Sequence, residues 1–111
     1  MDEKDEIDDV LEVVAGYYGV PRDAIRSASR AQDVHRARCI AMFLAHRIGS
    51  DARDIGQRFG GRDCTIVLDV CRKISSRIRC DADDAKLLRD LQLACEKATR
   101  KRLWVKYGRL H

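Results

Sequence analysis

Ile55-Gly56-Gln57-Arg58-Phe59-Gly60-Gly61-Arg62-Asp63-Cys64-Thr65-Ile66-Val67 is the stretch on which the fold turns. Ser50 or Asp51 offers a cap for a short helix whose apolar residues are Ile55 and Phe59. The pair Gly60-Gly61 closes that helix, because glycine enters the left-handed conformation that ends one. Asp63 or Thr65 then caps a longer helix. Its apolar stripe is Val67, Val70, Cys71, Ile74 and Ile78, at helical spacing. Short helix, glycine turn and longer helix between Asp51 and Arg79 make a helix-turn-helix pattern. In DNA-binding versions the first residues of the second helix meet base edges in the major groove. Here those residues are Arg62, Asp63, Cys64, Thr65 and Ile66. An ordinary helical hairpin, with Arg62 and Asp63 only capping and solvating, fits the pattern as well.

Working outward, Ile7, Val10, Leu11, Val14 and Tyr18 repeat at helical spacing, and Gly19 follows as a stop. Pro21 suits the first turn of a short helix reaching Arg26. Ser29 and Gln32 form S-x-x-Q, a capping-box signature for the next helix. That helix has one apolar face, Val34, Ala37, Ala41, Leu44 and Ile48, and ends at Gly49. Beyond the central pattern, Asp81 and Asp83 break one helix and start the last. Its inner face is Leu87, Leu88, Leu91, Cys95 and Ala98.

The chain has 111 residues, enough for one domain with a modest core. Its net charge of +4 hides an asymmetry. Residues 1–12 hold seven acids and one base, so residues 13–111 carry 21 bases against 11 acids, a net of +10. A body that basic attracts polyanions. No apolar run approaches the roughly 20 residues that cross a bilayer. The acidic amino terminus is unlike a secretory signal. Apolar residues make up 45% of the chain, too many for a disordered one, and a single proline argues against a β architecture. A soluble, intracellular, helical domain is expected, with no membrane partner.

Chemistry other than binding has little support. The five cysteines and three histidines lack the C-x-x-C or H-x-x-x-H spacing of a zinc site, so no metal is expected. His35 and Cys39 stand one helical turn apart, but no catalytic set has motif-like spacing. The G-x-x-x-x-G-K-[ST] phosphate loop is absent. The expectation is no catalytic residue, no cofactor and no small-molecule substrate.

The central motif resembles the signature I-G-x-x-F-G-G-R-D-H-T-T-V of the bacterial replication initiator family, DnaA, in its carboxy-terminal DNA-binding domain. The resemblance extends through Val14-Ala15-Gly16-Tyr17-Tyr18-Gly19-Val20, Arg30, Val34, Arg38 and Ile40-Ala41-Met42 to Cys71-Arg72-Lys73-Ile74. It covers roughly residues 7–95. It implies an all-α domain of about six helices, related to the Trp-repressor-like helix-turn-helix proteins. It implies binding to a short asymmetric box in double-stranded DNA. A recognition helix enters the major groove, and a loop arginine at the position of Arg30 enters the minor groove. Arg62, Asp63 and Thr65 match base-contacting positions, and Arg38 matches a phosphate contact.

General chemistry agrees. Arginine binds guanine bidentately and favours narrow minor grooves, and aspartate accepts from the cytosine amino group. Arg58, Arg72 and Lys73 are further candidates for phosphates, which position a domain without reading sequence. Cys64 replaces the family histidine, Ile66 replaces its second threonine, and Cys39 stands where glutamine is common. A thiol is a weak donor and isoleucine has no polar group. Each good base contact is worth about 1–3 kcal/mol of discrimination. Duplex binding with altered specificity is therefore expected, either as weakened discrimination of the box with electrostatic affinity intact or as a preference shifted by Ile66 packing on thymine methyls.

These readings divide the chain into an acidic tail (1–6), the helix-turn-helix domain (7–96) and a basic extension (97–111). The expected function is sequence-specific duplex binding of the replication-origin type, regulating replication or transcription without ATPase activity, in competition with full-length initiator. The alternative is a protein-interaction module that keeps the fold without reading bases. In the extension, Lys97, Arg100, Lys101, Arg102, Lys106 and Arg109 alternate with Trp104 and Tyr107. It reads either as a second nucleic-acid arm or as a helix end in which Leu103 and Trp104 pack on the domain.

Overall fold

The computed structural model describes residues 5–107, with side chains as far as Val105. The described residues form six helices and no strand: α1 (Glu6–Tyr18), α2 (Arg22–Arg26), α3 (Gln32–Arg47), α4 (Ala52–Arg58), α5 (Cys64–Cys80) and α6 (Ala82–Tyr107). The all-α class read from the sequence is the one observed. None of these helices is long and apolar enough to cross a membrane.

Local chemistry accounts for most boundaries. Asp5 and Asp8 form a reciprocal capping box at the start of α1, each carboxylate accepting from the other's backbone N–H at 3.1 Å. Gly19 ends the helix with φ 67°. Pro21 is the N-cap of α2 rather than its first helical residue. The capping box expected at Ser29 and Gln32 is not formed. The cap of α3 is Ala31, and Gln32 is the first helical residue, too early to reach back. The serine hydroxyls shape the preceding loop instead: Ser29 N–H donates to Ser27 Oγ at 3.1 Å, and Ala31 N–H to Ser29 Oγ at 3.3 Å. Asp81 both ends α5 and caps α6, its carboxylate accepting from Asp83 and Asp84 N–H at 2.9 and 3.2 Å.

The core lies around α3, which packs against α1, α2, α4, α5 and α6. The sequence assigns α3 one apolar face, yet Ile40, Met42, Phe43 and Ala45 are buried beside Ala37, Ala41 and Leu44. Surrounded by neighbours, the middle of the helix is buried on every side, whereas His35 and Arg36 near its start and His46 and Arg47 at its end are exposed. Val67, Cys71 and Ile74 of α5 and Leu88, Leu91 and Cys95 of α6 complete the core, while Val70, Ile78 and Leu87 are half-buried against it. Burial pushes the Cys95 thiol up to about 12, which leaves it unreactive.

Helices α1 and α6 run into the two terminal segments set apart in the sequence. The acidic segment is largely the first turns of α1, and residues 1–4 lie outside the described residues. Asp9 is only 3% exposed. Its carboxylate accepts from Thr99 Oγ1 at 2.7 Å and from Arg102 Nε at 3.1 Å. This cluster ties α1 to α6, which runs without a break through the boundary drawn at residue 97. Thr99 and Arg102 tie the helix to Asp9, and Leu103 and Trp104 are exposed, Trp104 by 63%. The side chains of Lys106 and Tyr107, and Arg109 altogether, lie outside the described residues.

Candidate nucleic-acid interface

Three glycines build the turn between α4 and α5. Gly60 and Gly61 hold φ 85° and 74°, which side-chain-bearing residues rarely adopt. Gly56, inside α4, is required for a different reason. A Cβ there would lie 2.1 Å from the Arg62 carbonyl oxygen. The close approach lets Arg62 N–H donate to Gly56 O at 2.7 Å, which sets the angle between the helices. Phe59 and Ile55 anchor the turn from below, both fully buried.

Asp63 is the N-cap of α5. Its carboxylate accepts from Thr65 N–H at 3.0 Å, and that bond, with those to Cys64, holds its pKa below the usual range. Asp63 is exposed and ionised, with one oxygen engaged in the cap. Cys64 is half-buried, Thr65 is exposed, and Ile66 is 48% exposed. Leu68 projects from the same helix at 45%, off the buried stripe. Sequence reasoning passed over it. The signal was an apolar residue between Val67 and Val70, outside their period.

Farther along α5, Arg72 and Lys73 are exposed and share one carboxylate. Arg72 pairs with Asp69, and Lys73 Nζ lies 3.0 Å from Asp69 Oδ2. Such solvated pairs are weak and screened, so they compete little with a phosphate.

The other four candidate arginines have separate fates. Arg30 is exposed in the loop between α2 and α3. Arg62 is half-buried and folded back on the backbone, donating to the Phe59 carbonyl and to Ser27 O, the latter at 3.3 Å. It thus bridges the turn and the loop that carries Arg30. Gly60 abuts the same segment, since a Cβ on it would come within 2.9 Å of Arg26 O. Arg38 is 4% exposed, away from the surface where a phosphate contact was expected. Its Nε donates to Ile25 O at 2.8 Å and its Nη2 to Ser29 O at 3.0 Å. Burial pulls its pKa down, with nearby Arg62 adding to the effect. Arg58 turns toward the amino terminus, where Nη1 and Nη2 each lie 2.7 Å from a carboxylate oxygen, of Asp5 and Asp8 respectively. The bond to Asp5 holds its pKa up.

The exposed first turn of α5 and the Arg30 loop are therefore physically joined, through Arg62 and the Gly60 contact. Arg58 belongs to the α1–α4 junction. The cysteines are dispersed, with Cys71 and Cys95 in the core, Cys39 and Cys64 half-buried and Cys80 exposed.

Comparison with known proteins adds an independent line. Residues 7–74 match the family model described as bacterial dnaA protein helix-turn-helix. The chain is 41% identical over 91 residues to the chromosomal replication initiator protein DnaA of Xanthobacter autotrophicus, covering 78% of this chain and 18% of that protein. It is 40% identical over 88 residues to the protein of that name from Nitrobacter hamburgensis, with 76% and 18% covered. For the Lactobacillus johnsonii protein the values are 34% over 92 residues, 82% and 20%. The chain thus spans about a fifth of the length of these curated relatives.

Proposed function

We propose, for a chain that belongs to the bacterial DnaA helix-turn-helix family, that it binds double-stranded DNA at initiator boxes and regulates replication initiation or transcription without ATPase activity. In this reading the start of α5 enters the major groove, with Asp63, Cys64, Thr65 and Ile66 at the bases, Arg30 enters the adjacent minor groove, and Arg62 holds the two in fixed relation. Arg72 and Lys73 meet phosphates. Occupying boxes that a full-length initiator would otherwise fill is the mode of regulation, and the cytoplasmic nucleoid is the place.

The observation that carries the reading is the joining of the two exposed elements. A domain that reads both grooves of one short box needs its loop arginine and its recognition helix held in a fixed relation. Ile66, exposed where the family motif has threonine, supports a preference for thymine methyls over a hydrogen-bonding base edge.

Fluorescence anisotropy tests this with a duplex carrying the initiator box and a scrambled duplex, both at near-physiological salt. Tighter binding to the box, weakened by Arg30→Ala and by Arg62→Ala, is the expected result. The inward fold of Arg62 favours one rival, an interaction module that has lost base reading. Binding to neither duplex, with both substitutions silent, would establish that rival.

A further inference from the structure

We infer that Arg38 is a positioning residue for the minor-groove arm, holding the segment that presents Arg30, rather than a phosphate ligand. The inference rests on the duplex-reading function proposed above.

Helix α2 has only five residues and ends at Arg26, so its last carbonyls have few partners within the helix. Ser27 serves Ala24 O with its N–H and hydroxyl, and Arg38, on the second turn of α3, reaches the segment from outside. Nε donates to Ile25 O at 2.8 Å, and Nη2 to Ser29 O at 3.0 Å and to Ala24 O at 3.4 Å. One planar guanidinium thus spans carbonyls at both ends of the 24–29 segment. Ser29 is the residue before Arg30, and α3 begins two residues after it. Arg30 is therefore suspended between a clamped carbonyl and a helix start, with its own side chain exposed. Arg62 reinforces the clamp from the turn through Ser27 O. A loop already held in its binding conformation loses less freedom when it enters a groove.

The clamp needs the fork of arginine. Lysine carries the same charge and binds phosphate as a point charge, but its ammonium cannot hold these carbonyls in one plane. Arg38→Lys therefore separates the roles. If Arg38 positions Arg30, Arg38→Lys lowers affinity for the box about as far as Arg30→Ala does, about tenfold. On the Arg30→Ala background it then adds little, because the arm it serves is gone. Near-parent binding by Arg38→Lys would overturn the inference, as would losses that simply multiply in the double variant.

The unmodified chain provides a check that requires no variant to fold. The Arg38 Nε–H resonance should exchange slowly with water in the free chain and remain protected when box duplex is added. Rapid exchange in either state would refute the clamp. Failure of the unmodified chain to prefer the box would instead refute the proposed function, and the free-chain resonance would still decide whether Arg38 holds the segment.

Discussion

Gly56→Ala and Gly16→Ala make the same chemical change inside two helices, and the structure predicts opposite outcomes. Alanine in place of a mid-helix glycine ordinarily stabilises by about 0.5–1 kcal/mol, through lost backbone freedom in the unfolded chain. At Gly16, in α1, a new Cβ meets nothing within 4 Å, so the full gain is expected. At Gly56 the Cβ would sit 2.1 Å from Arg62 O and 3.1 Å from Arg62 C, both backbone atoms that no rotamer change can move aside. Opening the contact to an ordinary distance displaces the turn by about 1 Å, and overpacking of this kind costs about 1–3 kcal/mol. It also stretches the 2.7 Å bond from Arg62 N–H to Gly56 O, worth about 1 kcal/mol. After the helix-propensity gain, Gly56→Ala should lose about 2–3 kcal/mol, on the order of 10 °C in Tm. Urea unfolding followed by circular dichroism, extrapolated linearly to water, measures both variants against the parent. A Gly56→Ala variant as stable as Gly16→Ala would refute the close-approach argument. Box binding by Gly56→Ala, measured well below its Tm, should also weaken, since the angle between α4 and α5 has changed.

Asp9→Ala leaves Arg102 without its buried carboxylate and Thr99 without its acceptor, and should cost about 3 kcal/mol in urea unfolding; a change within experimental scatter would mean that α6 is held by its apolar residues alone. The Asp5 carboxyl, raised by partial burial but held lower overall by Arg58 and the capping bonds, titrates below its unfolded value of 3.8. The stability it contributes is complete above about pH 4 and disappears as pH falls through the folded value, so the gap between parent and Asp5→Asn should close in acid and shrink in salt. Asp63→Ala should lower Tm by a few degrees through loss of the α5 cap, and Asp63→Ser should restore it while leaving box discrimination impaired, because serine caps but carries no carboxylate for a cytosine. Ile66→Thr returns the family residue at that position and should shift the preferred sequence in a binding selection without changing the melting temperature, because Ile66 is 48% exposed.

The helix-turn-helix was legible in the sequence because its determinants are local. A glycine pair, an aspartate before a helical stripe and apolar residues three and four apart act within a turn or two of chain, and each appeared where it was read. The capping box before α3 failed for an equally local reason: the chain started its helix two residues later than the S-x-x-Q pattern implied. The charged side chains were another matter. Arg30, Arg38, Arg58 and Arg62 look alike in sequence, as long cations that can be solvated, paired or buried along their stems. Tertiary structure alone sent Arg58 to Asp5, 53 residues away, Arg62 to Ser27, 35 away, and Arg38 into the interior. It also turned Asp9 from one acid in a charged head into a buried tie to Arg102, 93 residues along the chain. Propensity and periodicity act over one or two helical turns, whereas an ion pair exists only once packing has brought distant helices together. The sequence by itself therefore determined which helices form and which turn joins the reading pair, and the packing around α3 decided which charges remain free to meet a duplex.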